Sequence, residues 1–193
     1  MIRCTLTFLL LLGMTLLSCR STDTLNQELL TACSRVDQQE IAQLLRKGAS
    51  VQATRRGRET ALGLLIQQYK RSHQERRKRI EDTVTELLHR GADANALHHG
   101  FTPLQIATGQ GSEAIVSRLI THGADPDRDT PAGYAPLWQA VWDNNHRIGL
   151  ILLQAGANPD TRGPGGQTPL QYLRARGYQK TRLMLHLRDY GGH

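Results

Sequence analysis

The sequence predicts an all-α solenoid of about five helix-turn-helix units with short β-hairpin fingers. Two phrases that recur along the chain predict it. A turn phrase begins at Gly100, Gly133 and Gly166, and therefore repeats every 33 residues. A second phrase, in which two residues separate a pair of aliphatic residues from Gly-Ala, closes at Ala49, Ala92, Ala124 and Ala157. A shared period near 33 residues is typical of repeat proteins, in which each unit buries its apolar face only against its neighbours.

The residues within one period explain why each unit forms two helices. Thr102 can cap a first helix through its hydroxyl, and Pro103 fits the first helical position because its missing N–H would have no partner there. Ser112 opens a second helix, whose apolar residues Ile115, Val116, Leu119 and Ile120 have helical spacing. Gly123 then ends that helix, since glycine adopts a left-handed conformation without steric cost.

The turn phrase resembles that of the ankyrin-repeat family, and the resemblance covers roughly residues 25–190. The phrase reads Thr102-Pro103-Leu104-Gln105-Ile106-Ala107, Ala135-Pro136-Leu137-Trp138-Gln139-Ala140 and Thr168-Pro169-Leu170-Gln171-Tyr172-Leu173. Gln105, Trp138 and Gln171 replace the histidine of the family pattern, so we expect weaker hydrogen bonding at each turn. The resemblance implies helix pairs with β-hairpin fingers and no catalysis by the domain itself.

The first residues are expected to form a lipoprotein signal peptide rather than part of the fold. An apolar run from Leu6 to Leu17 follows a short positive start and is too short to span a bilayer. Leu16-Leu17-Ser18-Cys19 resembles a lipoprotein box, which implies lipidation of Cys19; the alternative is an ordinary cleaved signal with an incidental cysteine. Arg20 at the next position implies a periplasmic location on the inner leaflet of the outer membrane.

These observations divide the chain into a signal, a tether and one repeat domain. We expect the signal at 1–18, the tether at 19–24 and the ankyrin-repeat domain at 25–193. Its units are expected at about 25–53, 54–96, 97–127, 128–160 and 161–190. Cys4 leaves with the signal and Cys19 carries lipid, so Cys33 remains alone, and no internal disulfide can stabilise the domain. We expect Cys33 to be a small core residue.

The second unit is about ten residues longer than the period, and its insertion is strongly basic. Because no Gly or Pro occurs from Leu64 to Arg90, we expect two lengthened helices joined by a tight polar turn. The basic patch comprises Lys70, Arg71, Arg76, Arg77, Lys78 and Arg79. It is interpreted either as a contact for an acidic protein or phosphate, or as a solvated helix end. Nucleic acid is not an expected partner, since no aromatic residues interleave the cations to stack on bases.

The family resemblance also implies where a partner protein would bind. Ankyrin repeats use their finger tips and the inner face of their first helices. The corresponding tip residues are Arg56, Glu59, His98, His99, Phe101, Tyr134 and Gln167, and the helical residues are Gln67, Gln68, Gln110, Trp142, Asp143 and Arg176. Exposed aromatic residues and arginine favour protein interfaces, so we expect Trp142 at the surface and Trp138 in the core.

The sequence predicts no catalytic residues, metal, cofactor or small-molecule substrate. His98 and His99 are adjacent and lack further ligands at metal-binding spacing. Three function hypotheses remain. The first is an immunity protein that binds and neutralises a secreted antibacterial effector, such as a type VI phospholipase; the net charge of +7 suits an acidic partner. The second is an envelope scaffold that supports a periplasmic enzyme such as catalase. The third is an enzyme acting on lipid or cell wall with the basic patch as its substrate contact.

Overall fold

A computed structural model describes residues 21–128, 130, 134–178 and 182–191. The predicted signal peptide and Cys19 lie outside the described residues. Within these ranges the chain forms five helix pairs, which confirms the predicted all-α solenoid. The pairs are α1 (Thr22–Arg35) with α2 (Gln38–Arg46), α3 (Ala61–Ile66) with α4 (Gln74–His89), α5 (Pro103–Gln110) with α6 (Glu113–Thr121), α7 (Pro136–Trp142) with α8 (His146–Gln154), and α9 (Pro169–Ala175) with α10 (Arg182–Asp189). None of the helices in this part of the chain is both long enough and apolar enough to span a bilayer.

The helices stack in two layers, with the core between them. The first helices of successive pairs pack in the order α1, α3, α5, α7, α9, and the second helices pack in the order α4, α6, α8, α10. Leu104 and Leu119 of the third pair and Leu137 and Leu152 of the fourth are fully buried. Each pair therefore buries its apolar residues against the pairs on either side, as a repeat architecture requires.

The glutamines at the turns form more hydrogen bonds than we expected. Gln105 Oε1 accepts from the backbone N–H of Thr102 at 2.8 Å, and Gln171 Oε1 accepts from Thr168 N at 3.1 Å. Gln105 Nε2 also donates to Thr130 Oγ1 and to the carbonyl of Tyr134 at 2.9 and 3.0 Å. The expectation of weaker bonding was wrong at these turns, because an amide offers both an acceptor and donors.

Replacing Gln105 by alanine is expected to lower the free energy of unfolding by about 2 kcal/mol. The change leaves the buried Thr102 N–H without its acceptor and removes the link to the next finger. Gln171→Ala is the matched control, because Gln171 is exposed and water can replace its cap. We expect a loss below about 1 kcal/mol there. Chemical denaturation measures both, and equal losses would contradict the role assigned to Gln105.

The fingers between the pairs have little strand structure. In the first, β1 (Thr54–Arg55) pairs antiparallel with β2 (Glu59–Thr60). The next has a single bridge between His98 and Phe101. The third falls partly outside the described residues, and the fourth contains a 3-10 turn at Pro164–Gly166. The first two fingers are linked, since His99 N donates to the carbonyl of Arg58 at 2.8 Å.

Polar side chains also connect the loops that follow the second helices. Gln52 accepts from the backbone N–H of Asp93 at 3.3 Å, and Asn95 accepts from Asp125 N at 2.9 Å. Asp127 accepts from Asn158 N at 2.8 Å in the same way. Each of these hydrogen bonds crosses one boundary between units, so the loops are fastened in series.

Two predicted segments differ in the structure. Helix α1 already begins at Thr22, so the last three residues of the predicted tether are helical. In the enlarged unit α3 has only six residues, and the extra chain forms a turn at 67–73 and a 16-residue α4. Arg77 stabilises this turn, because its guanidinium donates hydrogen bonds to the carbonyls of Tyr69 and Lys70 at 3.3 and 3.2 Å.

Candidate protein-binding surface

Residues spaced by the repeat period line one side of the solenoid. We call this side the inner surface and define it by four positions in each of the last three units. The finger-tip residues are Phe101, Tyr134 and Gln167, the helix residues are Ile106, Gln139 and Tyr172, and the pairs of helix-end residues are Gly109 and Gln110, Trp142 and Asp143, and Ala175 and Arg176. The structure brings tip, helix and helix-end residues of neighbouring units around one cavity, described below.

An aromatic stack occupies the inner surface of the last two units. The ring of Trp142 lies 5.5 Å from that of Tyr172, with 22° between their planes. The guanidinium of Arg176 lies 5.2 Å from the centre of the same tyrosine ring. Trp142 is 51% exposed, whereas Trp138 is 2% exposed and meets Tyr172 edge-on from the core. Both tryptophans are therefore located as expected, and the exposed side chains of Trp142 and Arg176 are held against the half-buried Tyr172.

Tyr172 is a site residue that the sequence analysis missed. It lies at the same repeat position as Ile106 and Gln139, which makes it part of the inner surface. The 33-residue period is the sequence signal that could have identified it, because it relates Tyr172 to Ile106 and Gln139. Its ring positions both Trp142 and Arg176.

A cavity of about 370 Å³ opens on the inner surface between the second and third fingers. Its lining is made of uncharged residues from two neighbouring units: Phe101, Gln105, Ile106, Gly109, Gln110, Tyr134 and Gln139. This volume lies at the lower end of the range of ligand pockets.

The structure places most of the predicted partner-binding residues where a partner could reach them. The exposed ones are Arg56, His99, Phe101, Tyr134, Trp142, Asp143, Gln167 and Arg176, and the half-buried ones are Glu59, Gln67, Gln68 and Gln110. That they bind a partner stays a prediction.

His98 is the exception, and its assignment to the finger tip is corrected. Only 3% of it is exposed, and its Nδ1 accepts from the backbone N–H of Thr60 at 3.0 Å. A Cβ on Gly63 would lie 2.1 Å from the ring, so the ring occupies the space that this glycine leaves open. His98 thus caps α3 as Gln105 caps α5. The pKa of His98 is lowered to about 4, chiefly by burial and also by the neighbouring His99, while Glu59 opposes the change.

Only part of the basic patch is free to meet a partner. Arg76 donates to the carbonyl of Arg35 at 3.0 Å, and the guanidinium of Arg77 lies over the ring of Tyr69. The other four cations are exposed. One of them, Lys78, lines a cleft of about 780 Å³ together with the acidic residues Glu75, Glu81 and Asp82. Two of the six cations therefore stabilise the fold, and both interpretations of the others remain open.

The described residues contain no cluster of three or more histidine, cysteine or acidic side chains that could hold a metal ion. Cys33 is a buried free thiol, and its burial raises its pKa to about 12. A thiol in this state is inert, because the thiolate is the reactive form.

A solenoid of helix pairs with exposed aromatic and arginine side chains defines a protein-interaction module. Comparison with known proteins identifies the repeat. Residues 73–163 match the family model for ankyrin repeats (3 copies). Together with the five helix pairs, this match establishes the fold as an ankyrin-repeat solenoid.

Two curated proteins share short stretches with the chain. It is 51% identical over 47 residues to the 2-5A-dependent ribonuclease of Mus musculus, a match covering 23% of this chain and 6% of that protein. It is 42% identical over 50 residues to Ankyrin repeat and MYND domain-containing protein 1 of Homo sapiens, covering 26% and 5% respectively. The similarity thus involves only a small part of each relative.

Proposed function

We propose that the chain is a non-catalytic, protein-binding lipoprotein of the periplasm. Its role in this proposal is that of an immunity protein, which binds a secreted antibacterial effector such as a type VI phospholipase and blocks its active surface. The aromatic stack of Trp142, Tyr172 and Arg176 is the observation that carries the binding part. The apolar run before Cys19 supports the location.

The aromatic stack has the properties of a binding hot spot. Tryptophan, tyrosine and arginine dominate the energetics of protein interfaces, where large side chains desolvate together. Here Trp142 and Arg176 are already held against Tyr172, so little side-chain entropy remains to be lost on binding. The stack therefore favours a partner that covers the inner surface of the last two units.

The charge of the chain supports an acidic partner. The net charge is +7, and Lys70, Arg71, Lys78 and Arg79 are exposed. Opposite charge accelerates encounter between two proteins and suppresses wrong partners. An effector with an acidic surface would therefore meet the chain faster and would be preferred over partners of the same charge.

Trp142→Ala is expected to weaken partner binding at least tenfold while leaving the fold intact. Half of the indole is exposed in the free chain, so its loss costs little stability but removes a large apolar contact. The partner to test is the effector encoded beside the gene for this chain, in a calorimetric titration and in a growth-protection assay. Tyr190→Ala is the control, since Tyr190 is an exposed aromatic residue at the end of the last unit.

The outcomes separate the hypotheses. An effector that binds with nanomolar affinity and is neutralised would support the immunity role. Capture of a resident envelope enzyme, without protection against an effector, would replace that role with a scaffold. Unchanged affinity in the Trp142 variant would remove the aromatic stack from the site.

A further inference from the structure

The cavity between the second and third fingers is shaped to receive a side chain from outside. Its volume of about 370 Å³ is enough for one large apolar residue but small for an extended ligand. Phe101 and Ile106 supply its apolar wall, and Phe101 and Tyr134 form its outer edges. Gln139 of the cavity lining and Trp142 of the aromatic stack belong to the same helix, α7, so a single partner could reach both.

The cavity exists because one repeat position carries glycine in the third unit. Gly109 corresponds to Trp142 one period later, where the indole covers the inner surface. A Cβ built on Gly109 meets no atom within 4 Å, so open space lies directly above the helix. The fourth unit thus presents a projecting ring at the position where the third presents a recess.

The polar groups around the cavity are fixed by hydrogen bonds and do not close it. Gln105 bonds to the finger of the next unit through Tyr134 O, as described above. Gln110 Oε1 accepts from the backbone N–H of Lys70 at 3.0 Å, and Gln139 Nε2 donates to Asp143 at 2.9 Å. A ligand therefore enters a cavity that is already formed, and it need not displace these amides.

The charges beside the cavity indicate the character of its ligand. The lining itself is uncharged, but Gln110 joins it to the turn that carries the exposed Lys70 and Arg71. On the other side, Tyr134 is shared with a smaller cleft that exposes Arg128. Among the described acidic residues, Asp143 is bonded to Gln139 of the lining, and Asp127 lines the smaller cleft together with Arg128. Cations thus lie on two sides of an apolar recess.

We propose that the cavity at Gly109 binds one bulky apolar side chain carried on an acidic segment of the partner protein. The apolar side chain fills the recess above Gly109, and carboxylates on either side of it face Lys70, Arg71 and Arg128. This inference rests on the proposed function, because it describes the partner of the same inner surface. It adds the chemistry of the segment that the partner must present.

A short peptide tests this directly on the full chain. The probe is acetyl-Asp-Glu-Gly-Phe-Gly-Asp-Glu-amide, titrated into isotope-labelled protein while amide shifts are followed by NMR. We expect saturable shifts at Phe101, Gly109, Gln110 and Tyr134. Replacing the central phenylalanine of the probe by alanine should weaken binding about tenfold or more, because an apolar ring would no longer be buried. Replacing the acidic residues of the probe by lysine should abolish binding.

Variants of Gly109 test the cavity from the protein side. Gly109→Leu fills the recess and should abolish the shifts, whereas Gly109→Ala adds one methyl group and should change affinity less than threefold. Neither variant strains the chain, since the space is open and glycine is a poor helix former. Ser117→Leu places the same side chain at an exposed position on α6 and should bind the probe like the unmodified chain.

Equal binding of the phenylalanine and alanine probes would overturn the proposal, and so would shifts confined to the basic patch. Full affinity of Gly109→Leu for an identified effector would also overturn it, while leaving the proposed function intact. Conversely, the probe could bind saturably at Gly109 while the neighbouring effector does not bind the chain. That result would support the cavity and contradict the immunity role.

Discussion

Lowering the pH from 7 to 4 is expected to reduce the free energy of unfolding by about 3 kcal/mol through His98 alone. The pKa of this group falls from its ordinary value near 6.5 to about 4 in the folded chain, chiefly because it is buried. The unfolded chain therefore binds the proton first. The stabilisation is complete above pH 6.5, declines as the pH falls towards 4 and is lost below that value.

The hydrogen bonding of His98 also predicts that the folded chain loses stability as the pH falls. Its Nδ1 accepts from Thr60 N, so the ring is neutral with its proton on Nε2, and a second proton would break this bond. Nε2 is itself buried without a partner among the described residues. Protonation would therefore place a charge in a site that offers it no acceptor.

Replacing His98 and His99 separately by asparagine tests whether His98 causes this pH dependence. Urea denaturation at pH 7 and pH 4 should show that His98→Asn loses most of this pH dependence, because its amide oxygen accepts a hydrogen bond but does not titrate. His99→Asn should keep most of it, since burial is the larger cause of the lowered pKa of His98 and asparagine tolerates the positive φ of 52° at position 99. An unchanged pH dependence in His98→Asn would show that other groups cause it.

Gly163→Ala is expected to cost about 3 kcal/mol of stability, because the new methyl group would overlap the ring of Trp138. A Cβ at this position would lie 1.9 Å from Cε2 of the indole. The ring is 2% exposed and packs edge-on against Tyr172, so it must shift and disturb that contact. We therefore expect a lower thermal midpoint and altered fluorescence from the aromatic stack.

The third unit supplies a rescue for this variant. One period earlier, the positions of Trp138 and Gly163 are occupied by Gln105 and Thr130, whose side chains are 2.9 Å apart. The double variant Trp138→Gln with Gly163→Thr reproduces that pair. It should be more stable than the sum of its single changes predicts, by 1 kcal/mol or more. Strict additivity in this cycle would contradict a direct clash between the two residues.

The fold could be predicted because its determinants are local and repeated. Thr102, Pro103 and Ser112 set the ends of two helices within one period, and the period copies these signals along the chain. The insertion was predicted less well. Its composition contains no helix breaker, but Arg77 closes the turn by bonding to Tyr69 and Lys70, a side-chain arrangement that composition does not reveal.

Most residues of the candidate site were predicted at positions that the structure shows to be exposed or half-buried. The residues that were misplaced or missed are those whose location depends on contacts between units. His98 belongs to the core because Gly63, far earlier in the chain, leaves room for its ring. Tyr172 belongs to the surface because Trp142 of the preceding unit stacks on it. The cavity at Gly109 forms because glycine has no side chain and because the fingers of two neighbouring units border this position. None of these relations is visible in a single unit.

The serial hydrogen bonds of Gln52, Asn95 and Asp127 have a mechanical consequence. Each one ties a unit to its immediate neighbour, so the terminal unit can detach while the interior units stay assembled. Trp142 and Tyr172 meet across the boundary between the fourth and fifth units, which none of these three hydrogen bonds crosses. A protein that contacts both rings would therefore hold the fifth unit against the fourth, and its binding would suppress local unfolding at that end of the solenoid.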